Sequence, residues 1–269
     1  MKVQGKTIVV TGGGNGMGRE LALLLLKRGA RVAAVDINEA ALQETASLAG
    51  EHQNKLSTHV VNIADKEEVA ALPEAVIQAH GGVDGIINNA GIIQRFVRIN
   101  DLDFNEIERV FNVNFLGVVF MTKAFLPHLL KRPEAHIVNT SSMGSYLPVP
   151  GQTAYGASKA AVRAFTDGLH SELMETNVQV TTVFPGATAT NITSNSGVET
   201  PGGDIAKQRT RMRLTSAADA AEIIVNGMEK NEYHIFVGQD AKMTNFLSRV
   251  NPKQAAKFIY SQMRELLPS

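Results

Sequence analysis

The chain alternates short apolar runs of strand character with longer stretches in which apolar residues recur at helical spacing. Thr7-Ile8-Val9-Val10 is the first run and stops at glycines. Leu21, Leu24 and Leu25 follow at helical spacing, and Arg28-Gly29 supplies a glycine helix end. Arg31 to Val35 predicts a second strand that halts at Asp36. Further strands are predicted over 57–61, 85–88, 136–140, 178–184 and 234–237. Between them, Val69, Leu72, Val76 and Ile77 predict a helix, as do Ile107, Val110 and Phe111, and later Ala161, Phe165, Leu169 and Leu173. About seven strands alternating with helices predict an α/β fold: a doubly wound parallel sheet in three layers. One irregular stretch, 187–213, is rich in Thr, Ser, Asn and Gly and long enough for a lid or binding loop.

Composition narrows the function classes. The 269 residues are 44% hydrophobic and 19% charged, enough to bury a sizeable core. Lys+Arg and Asp+Glu both number 26, so no net positive field steers the chain toward nucleic acid. There is no cysteine, which excludes disulfides, thiolate metal sites and thiol nucleophiles, and no metal site is expected. The first residues run straight into a strand pattern without a signal-peptide core, so a cytoplasmic location is expected. No run of about 18 consecutive apolar residues suggests a membrane span.

The first strand and first helix are joined by Thr11-Gly12-Gly13-Gly14-Asn15-Gly16-Met17-Gly18. Glycines let the backbone turn tightly and approach a pyrophosphate, and the helix N-terminus offers free N–H groups to it. The spacing departs from the common G-x-G-x-x-G form, and an ordinary glycine-rich turn is the competing reading. Position favours the dinucleotide reading: Asp36 ends the second strand 20 residues after Gly16, where a carboxylate takes the adenosine ribose hydroxyls. That carboxylate repels a 2′-phosphate, and neither Asn15 nor Ile37 supplies a base to attract one. NAD is therefore expected over NADP, on a Rossmann-type sheet. A plain helix N-cap remains the alternative role for Asp36.

Tyr155 and Lys159 stand one helical turn apart, on one face. Alone, such a pair is usually a solvated surface feature. However, Ser142 lies 13 residues upstream at the end of a predicted strand, where ligands bind in such sheets.

Taken together, Thr11-Gly12…Gly16-x-Gly18, Asn88-Asn89-Ala90-Gly91, Asn114, Ser142, Tyr155…Lys159 and Pro185-Gly186 resemble the short-chain dehydrogenase/reductase family over about residues 5–238. The Tyr-x-x-x-Lys spacing resembles its common short form. The resemblance implies an NAD-dependent oxidoreductase interconverting a secondary alcohol and a ketone. Tyr155 would be the acid/base, Ser142 a donor to the substrate oxygen, and Lys159 a holder of the nicotinamide ribose. Asn114 would hold a water leading from Lys159 to solvent. A phenol of pKa about 10 must fall by about 3 units to act near neutrality. An ammonium about 4 Å away supplies roughly 4 kcal/mol at an effective dielectric of about 20, so Lys159 alone is expected nearly to suffice.

By the same resemblance, Gly12, Asn15, Gly16, Met17 and Gly18 would cradle the pyrophosphate, with Asp36 and Ile37 at the adenosine. Asn88, Asn89, Ala90 and Gly91 would lie along the adenosine and ribose. Pro185-Gly186 would start the loop under the nicotinamide, where the Thr188 backbone and the Thr190 hydroxyl would hold the carboxamide. Asn62-Ile63 stands where the family usually has an Asp at the adenine, and Thr188 replaces a more usual aliphatic residue. The family's habit of pairing long helices implies a homodimer or homotetramer. A catalytically silent dinucleotide-binding sensor or scaffold is the alternative function.

Ile93, Gln94, Phe96, Met143, Tyr146, Leu147 and Val149 are expected to line the substrate pocket, which favours a hydrophobic alcohol or ketone. Lys207, Arg209, Arg211 and Arg213 form a basic stripe that either meets an anionic substrate or is a solvated face. Residues 1–239 read as one dinucleotide-binding and catalytic domain, and 240–269 as a helical extension. Ala255, Phe258, Ile259, Met263, Leu266 and Leu267 fit an amphipathic helix after Pro252. Three uses compete for the extension: packing on its own or a neighbouring subunit, capping the pocket, or lying on a membrane. The first two are favoured.

Overall fold

The computed structural model describes residues 1–190, 192–198 and 214–267. The basic stripe at Lys207–Arg213 lies outside the described residues. Nine strands occur among them: β1 (Thr7–Thr11), β2 (Arg31–Asp36), β3 (Leu56–Val60), β4 (Gly85–Asn88), β5 (Ala135–Thr140), β6 (Val178–Pro185), β7 (Thr188–Ala189), β8 (Thr215–Ser216) and β9 (His234–Val237). The helices are α1 (Gly16–Lys27), α2 (Glu39–Leu48), α3 (Lys66–His80), α4 (Phe104–Phe111), α5 (Gly117–Leu129), α6 (Thr153–Glu172), α7 (Ile192–Asn195), α8 (Ala217–Glu229), α9 (Gln239–Val250) and α10 (Pro252–Met263).

Seven strands form one parallel sheet in the order β3-β2-β1-β4-β5-β6-β9, flanked by helices, which is a Rossmann-like α/β fold. All five residues of β1, all four of β4 and all six of β5 are buried, because helices cover both faces. On one face, Leu21, Leu25 and Leu26 of α1 pack with Ile224, Val225 and Met228 of α8. On the other, Val69, Leu72 and Val76 of α3 meet Met121, Phe125 and Leu129 of α5. Each such fully buried side chain contributes about 1.5–3 kcal/mol relative to exposure.

The irregular stretch after β6 is not wholly irregular. β7 and β8 pair in parallel as a separate two-stranded sheet, and α7 follows β7. α4 and α5 run on through a π-helical turn at Asn112–Leu116, making a 26-residue helix over Phe104–Leu129. By length and composition alone it is apolar enough to cross a membrane, yet it packs against α3 and α6 and buries Met121, Phe125 and Leu129 in the core. Between β1 and β4 the strand order reverses. There the connections leave toward opposite faces and open a crevice at the carboxyl ends of the strands.

Candidate active site

The crevice holds a cleft of about 710 Å3 lined by Gly12, Asn15, Gly16, Met17, Asp36, Ile37, Asn62, Ile63, Asn89, Ala90, Gly91 and Thr190, among others. The glycine turn is as tight as its sequence suggests. A Cβ on Gly18 would lie 2.0 Å from the Gly12 carbonyl oxygen. Gly12 and Gly16 have φ of +70° and +52°, in the left-handed region that favours glycine. Asn15 caps α1, its side chain accepting from the Gly16 N–H at 2.6 Å. Thr11 ties the two walls together: its hydroxyl accepts from the backbone N–H groups of Asn89 and Ala90, each at 3.0 Å.

Asp36 does not cap α2. That role belongs to Asn38, which accepts from Ala41 N–H, while Asp36 Oδ2 accepts from Gly14 N–H and Oδ1 from Asn38 N–H, each at 3.0 Å. Its carboxylate is thereby fixed at the rim of the cleft. Asn62 lines the adenine end, but its side-chain oxygen already accepts from Ala64 N–H at 3.1 Å and closes a turn. Ile63 packs so closely on α5 that a Cβ at Gly117 would meet its Cδ1 at 2.9 Å. The Cβ-free cradle, the elongated cleft and the terminal carboxylate fit a dinucleotide.

Met17, Asn89, Gly91 and Thr190 also border a second, smaller cavity of about 310 Å3. Ser142, Tyr155 and Lys159 line it together with Pro185, Gly186 and Thr188. A Cβ on Gly144 would sit 3.4 Å from Ser142 Oγ and 3.6 Å from the Tyr155 ring. A Cβ on Gly91 would sit 3.1 Å from both Lys159 Nζ and Asn114 Oδ1. Ser142, Tyr155 and Lys159 thus share the smaller cavity, and Asn114 stands with Lys159 beside Gly91.

Electrostatically, the site departs from expectation. Burial pushes the Tyr155 phenol up, and the side-chain hydrogen bond with Ser142 acts in the opposite sense. Lys159 Nζ donates to the Thr140 carbonyl at 3.0 Å, and burial lowers Lys159 to about 8. The Asn114 side chain accepts from Ile92 N–H at 2.8 Å and donates to Ile92 O and Ser158 Oγ. Its amide is committed to the protein, in the π-helical turn that interrupts the long helix.

Of the expected pocket residues, Ile93, Phe96, Met143 and Val149 line the smaller cavity, whereas Gln94, Tyr146 and Leu147 do not. Gln94 is fully buried and acts as a clasp. Its Oε1 accepts from Tyr155 N–H at 3.0 Å, its Nε2 donates to Gly151 O at 3.0 Å, and its own carbonyl accepts from Gln152 Nε2 at 2.7 Å. Tyr155 N–H is one of the donors that a helix N-terminus leaves without an intrahelical partner, so Gln94 caps α6 from a distant loop. Tyr146 and Leu147 instead join Ala255, Ile259, Leu247 and Met263 in a small apolar cluster.

That cluster brings in the extension, whose Gln262, Met263 and Leu266 line the catalytic cavity beside Tyr155. Asp240, at the start of α9, accepts from Ala187 N–H at 2.7 Å and grips the loop after Gly186. A Cβ on Gly186 would lie 2.3 Å from the Asp240 carboxylate. Pocket packing is therefore the use made of the inward face of the extension. Sequence reasoning missed these wall residues, although the apolar spacing of Ile259, Met263 and Leu266 marked the face that carries them.

The short chain dehydrogenase family profile matches residues 6–200. A Mycobacterium tuberculosis protein named "Putative oxidoreductase SadH" is 36% identical over 98% of this chain and 98% of its own length. A Burkholderia phymatum short chain dehydrogenase/reductase in complex with NAD superposes with a TM-score of 0.84 at 25% identity, covering 94% of this chain and 95% of that one. The 3-ketoacyl-(acyl-carrier-protein) reductase of Brucella melitensis, complexed with NADH, gives 0.79 at 27% identity over 87% and 97%. With the glycine cradle and the Ser142–Tyr155–Lys159 convergence in place, these matches establish that the chain belongs to the short-chain dehydrogenase/reductase family.

Proposed function

We propose that this oxidoreductase uses NAD to interconvert a hydrophobic secondary alcohol and its ketone. The observation that carries this reading is the meeting of Ser142, Tyr155 and Lys159 at the end of a largely apolar cavity, next to the dinucleotide cleft. When bound, the nicotinamide supplies the hydride acceptor or donor. Tyr155 gives a proton to the substrate oxygen in reduction and takes it in oxidation. Ser142 donates to the same oxygen, where charge develops in the transition state. Lys159 Nζ, held by Thr140 O, has two further donors, which would hold the nicotinamide ribose. The apolar wall of Ile93, Phe96, Met143 and Met263 excludes water and favours an aliphatic or aromatic group beside the carbonyl.

Asp36 supports NAD over NADP, since its carboxylate at the rim of the cleft repels a 2′-phosphate. Assembly as a homodimer or homotetramer in the cytoplasm accompanies this reading. The test is a panel of ketones and alcohols of graded size, assayed with both cofactors by the change in NADH absorbance. We expect higher kcat/KM with NAD and with apolar substrates. Preference for NADP, or for sugars over apolar ketones, would overturn it.

A further inference from the structure

The helices of the extension carry two different faces. Inward, Ala255 and Ile259 are buried in the apolar cluster with Met143 and Leu147, and Met263 and Leu266 line the catalytic cavity. Outward, Met243, Phe246 and Val250 are 55%, 69% and 66% exposed. Their spacing of three and four residues makes one apolar strip along α9. Lys242 and Arg249, seven residues apart, run beside that strip, and Lys253 and Lys257 continue the positive charge on α10. All four are exposed, and none has a carboxylate partner among the described residues. Asp240 cannot offset them, because its carboxylate is turned inward onto Ala187 N–H. A chain with no net charge therefore carries, on these two helices, exposed apolar side chains and four exposed cations that no carboxylate among the described residues pairs.

We propose that α9 and α10 seat the protein on an anionic lipid surface, with Met243, Phe246 and Val250 in the boundary between head groups and acyl chains. Basic residues flanking an apolar strip are the composition that binds such surfaces. A second copy fits the strip less well. A two-fold contact sets the same patch against itself, which would bring the basic side chains along one copy's α9 close to those of the other. Gln262, on the same helix α10, is exposed at the wall of the catalytic cavity. If that cavity is the substrate site proposed above, an apolar ketone or alcohol held in the bilayer is the substrate class that such a seat would serve.

The experiment is co-sedimentation of the full chain with phosphatidylcholine vesicles, with and without phosphatidylglycerol, at low and high salt. No substrate is present, so its failure is separate from any failure of the dehydrogenase reading. We expect binding to the anionic vesicles at least about tenfold stronger than to neutral ones, weakening with salt. The pair Phe246→Asp and Val250→Asp should abolish it. The pair Lys253→Gln and Lys257→Gln should weaken it roughly 25-fold, about fivefold per cation. NADH affinity should be unchanged in both pairs. If the aspartate pair loses NADH binding through misfolding, the glutamine pair decides alone. Absence of binding to anionic vesicles, or binding indifferent to both pairs, would overturn the proposal. So would a wild-type oligomer that dissociates when Phe246 becomes Asp, since the strip would then belong to a second copy.

Discussion

The two cavities that share Met17, Asn89, Gly91 and Thr190 are built in opposite ways. The dinucleotide cleft takes its shape largely from backbone: a glycine turn, the end of β4, and the Asp36 carboxylate held by Gly14 and Asn38 N–H groups. Most of its phosphate end comes from Gly12 to Asp36, a continuous stretch of chain. The catalytic cavity is assembled from side chains far apart in sequence, including Ile93, Met143, Tyr155, Thr188 and Met263. The first is suited to a constant ligand presented by many chains. The second can change its occupant by changing one wall, and here that wall is the extension.

The sharpest way to separate the two is Tyr155→Phe. It should lower turnover by about a thousandfold or more, in the range expected for losing an acid/base. NADH binding, followed by fluorescence titration, should stay within about twofold. Retained turnover of more than a few per cent removes Tyr155 from its role.

Next in size is the cost of burying Lys159. Burial lowers its pKa in the folded protein to about 8 from the ordinary 10.5, so at pH 7 folding carries a charge that burial disfavours. Between those two values the unfolded chain binds a proton that the folded chain does not. Stability from this group therefore rises as pH rises through that window, and the penalty is fully present below about 8. Lys159→Met should raise the unfolding free energy at pH 7 by up to about 3 kcal/mol, less what the lost hydrogen bond to Thr140 contributed. Thermal melts of both proteins should converge as pH approaches 10. A gap that is constant with pH contradicts the account.

Gln94→Met keeps the volume of the clasp and removes its hydrogen bonds to Tyr155 N–H and Gly151 O. We expect kcat to fall roughly tenfold to a hundredfold, the scale of a misplacement of about 1 Å, with little change in NADH affinity. Equal losses of kcat and cofactor affinity would show that the clasp supports the whole fold and not the catalytic end.

The smallest effect belongs to the cofactor end. Asp36→Ala should cut kcat/KM with NAD about tenfold, or about 1.4 kcal/mol, and narrow the preference over NADP. Turnover with NADP unchanged relative to NAD would remove Asp36 from cofactor choice.

The same contrast explains what the sequence made legible. β1, the glycine turn, α1 and Asp36 follow one another along the chain, so period, spacing and backbone requirement all point to one ligand. The seven strands of the main sheet read to within a residue or two, because buried parallel strands appear as apolar, β-branched runs, whereas the two-residue β7 and β8 carry no such run. Lys159 and Asn114 were identified as site residues, but their hydrogen bonds to Thr140 O and Ile92 could not be read from spacing. Gln94 read as pocket lining because nothing local reveals that a side chain from one loop caps a helix that begins at Thr153. Met263 and Leu266 stood out as an amphipathic face, yet the surface that face would meet depends on how α9 turns at Asn251. Asp36 could have been a helix cap by sequence, and only the Asn38 hydrogen bond to Ala41 assigns the cap elsewhere.

In the proposed function, hydride passes between nicotinamide and an apolar carbonyl under the Tyr155 hydroxyl. That transfer is tested most directly by reducing a panel of apolar ketones with NADH carrying deuterium on the transferring face of C4, followed by mass spectrometry of the product. The account predicts one deuterium on the carbinol carbon with wild-type protein and none with Tyr155→Phe. Tight NADH binding with no labelled alcohol from any apolar ketone would contradict it.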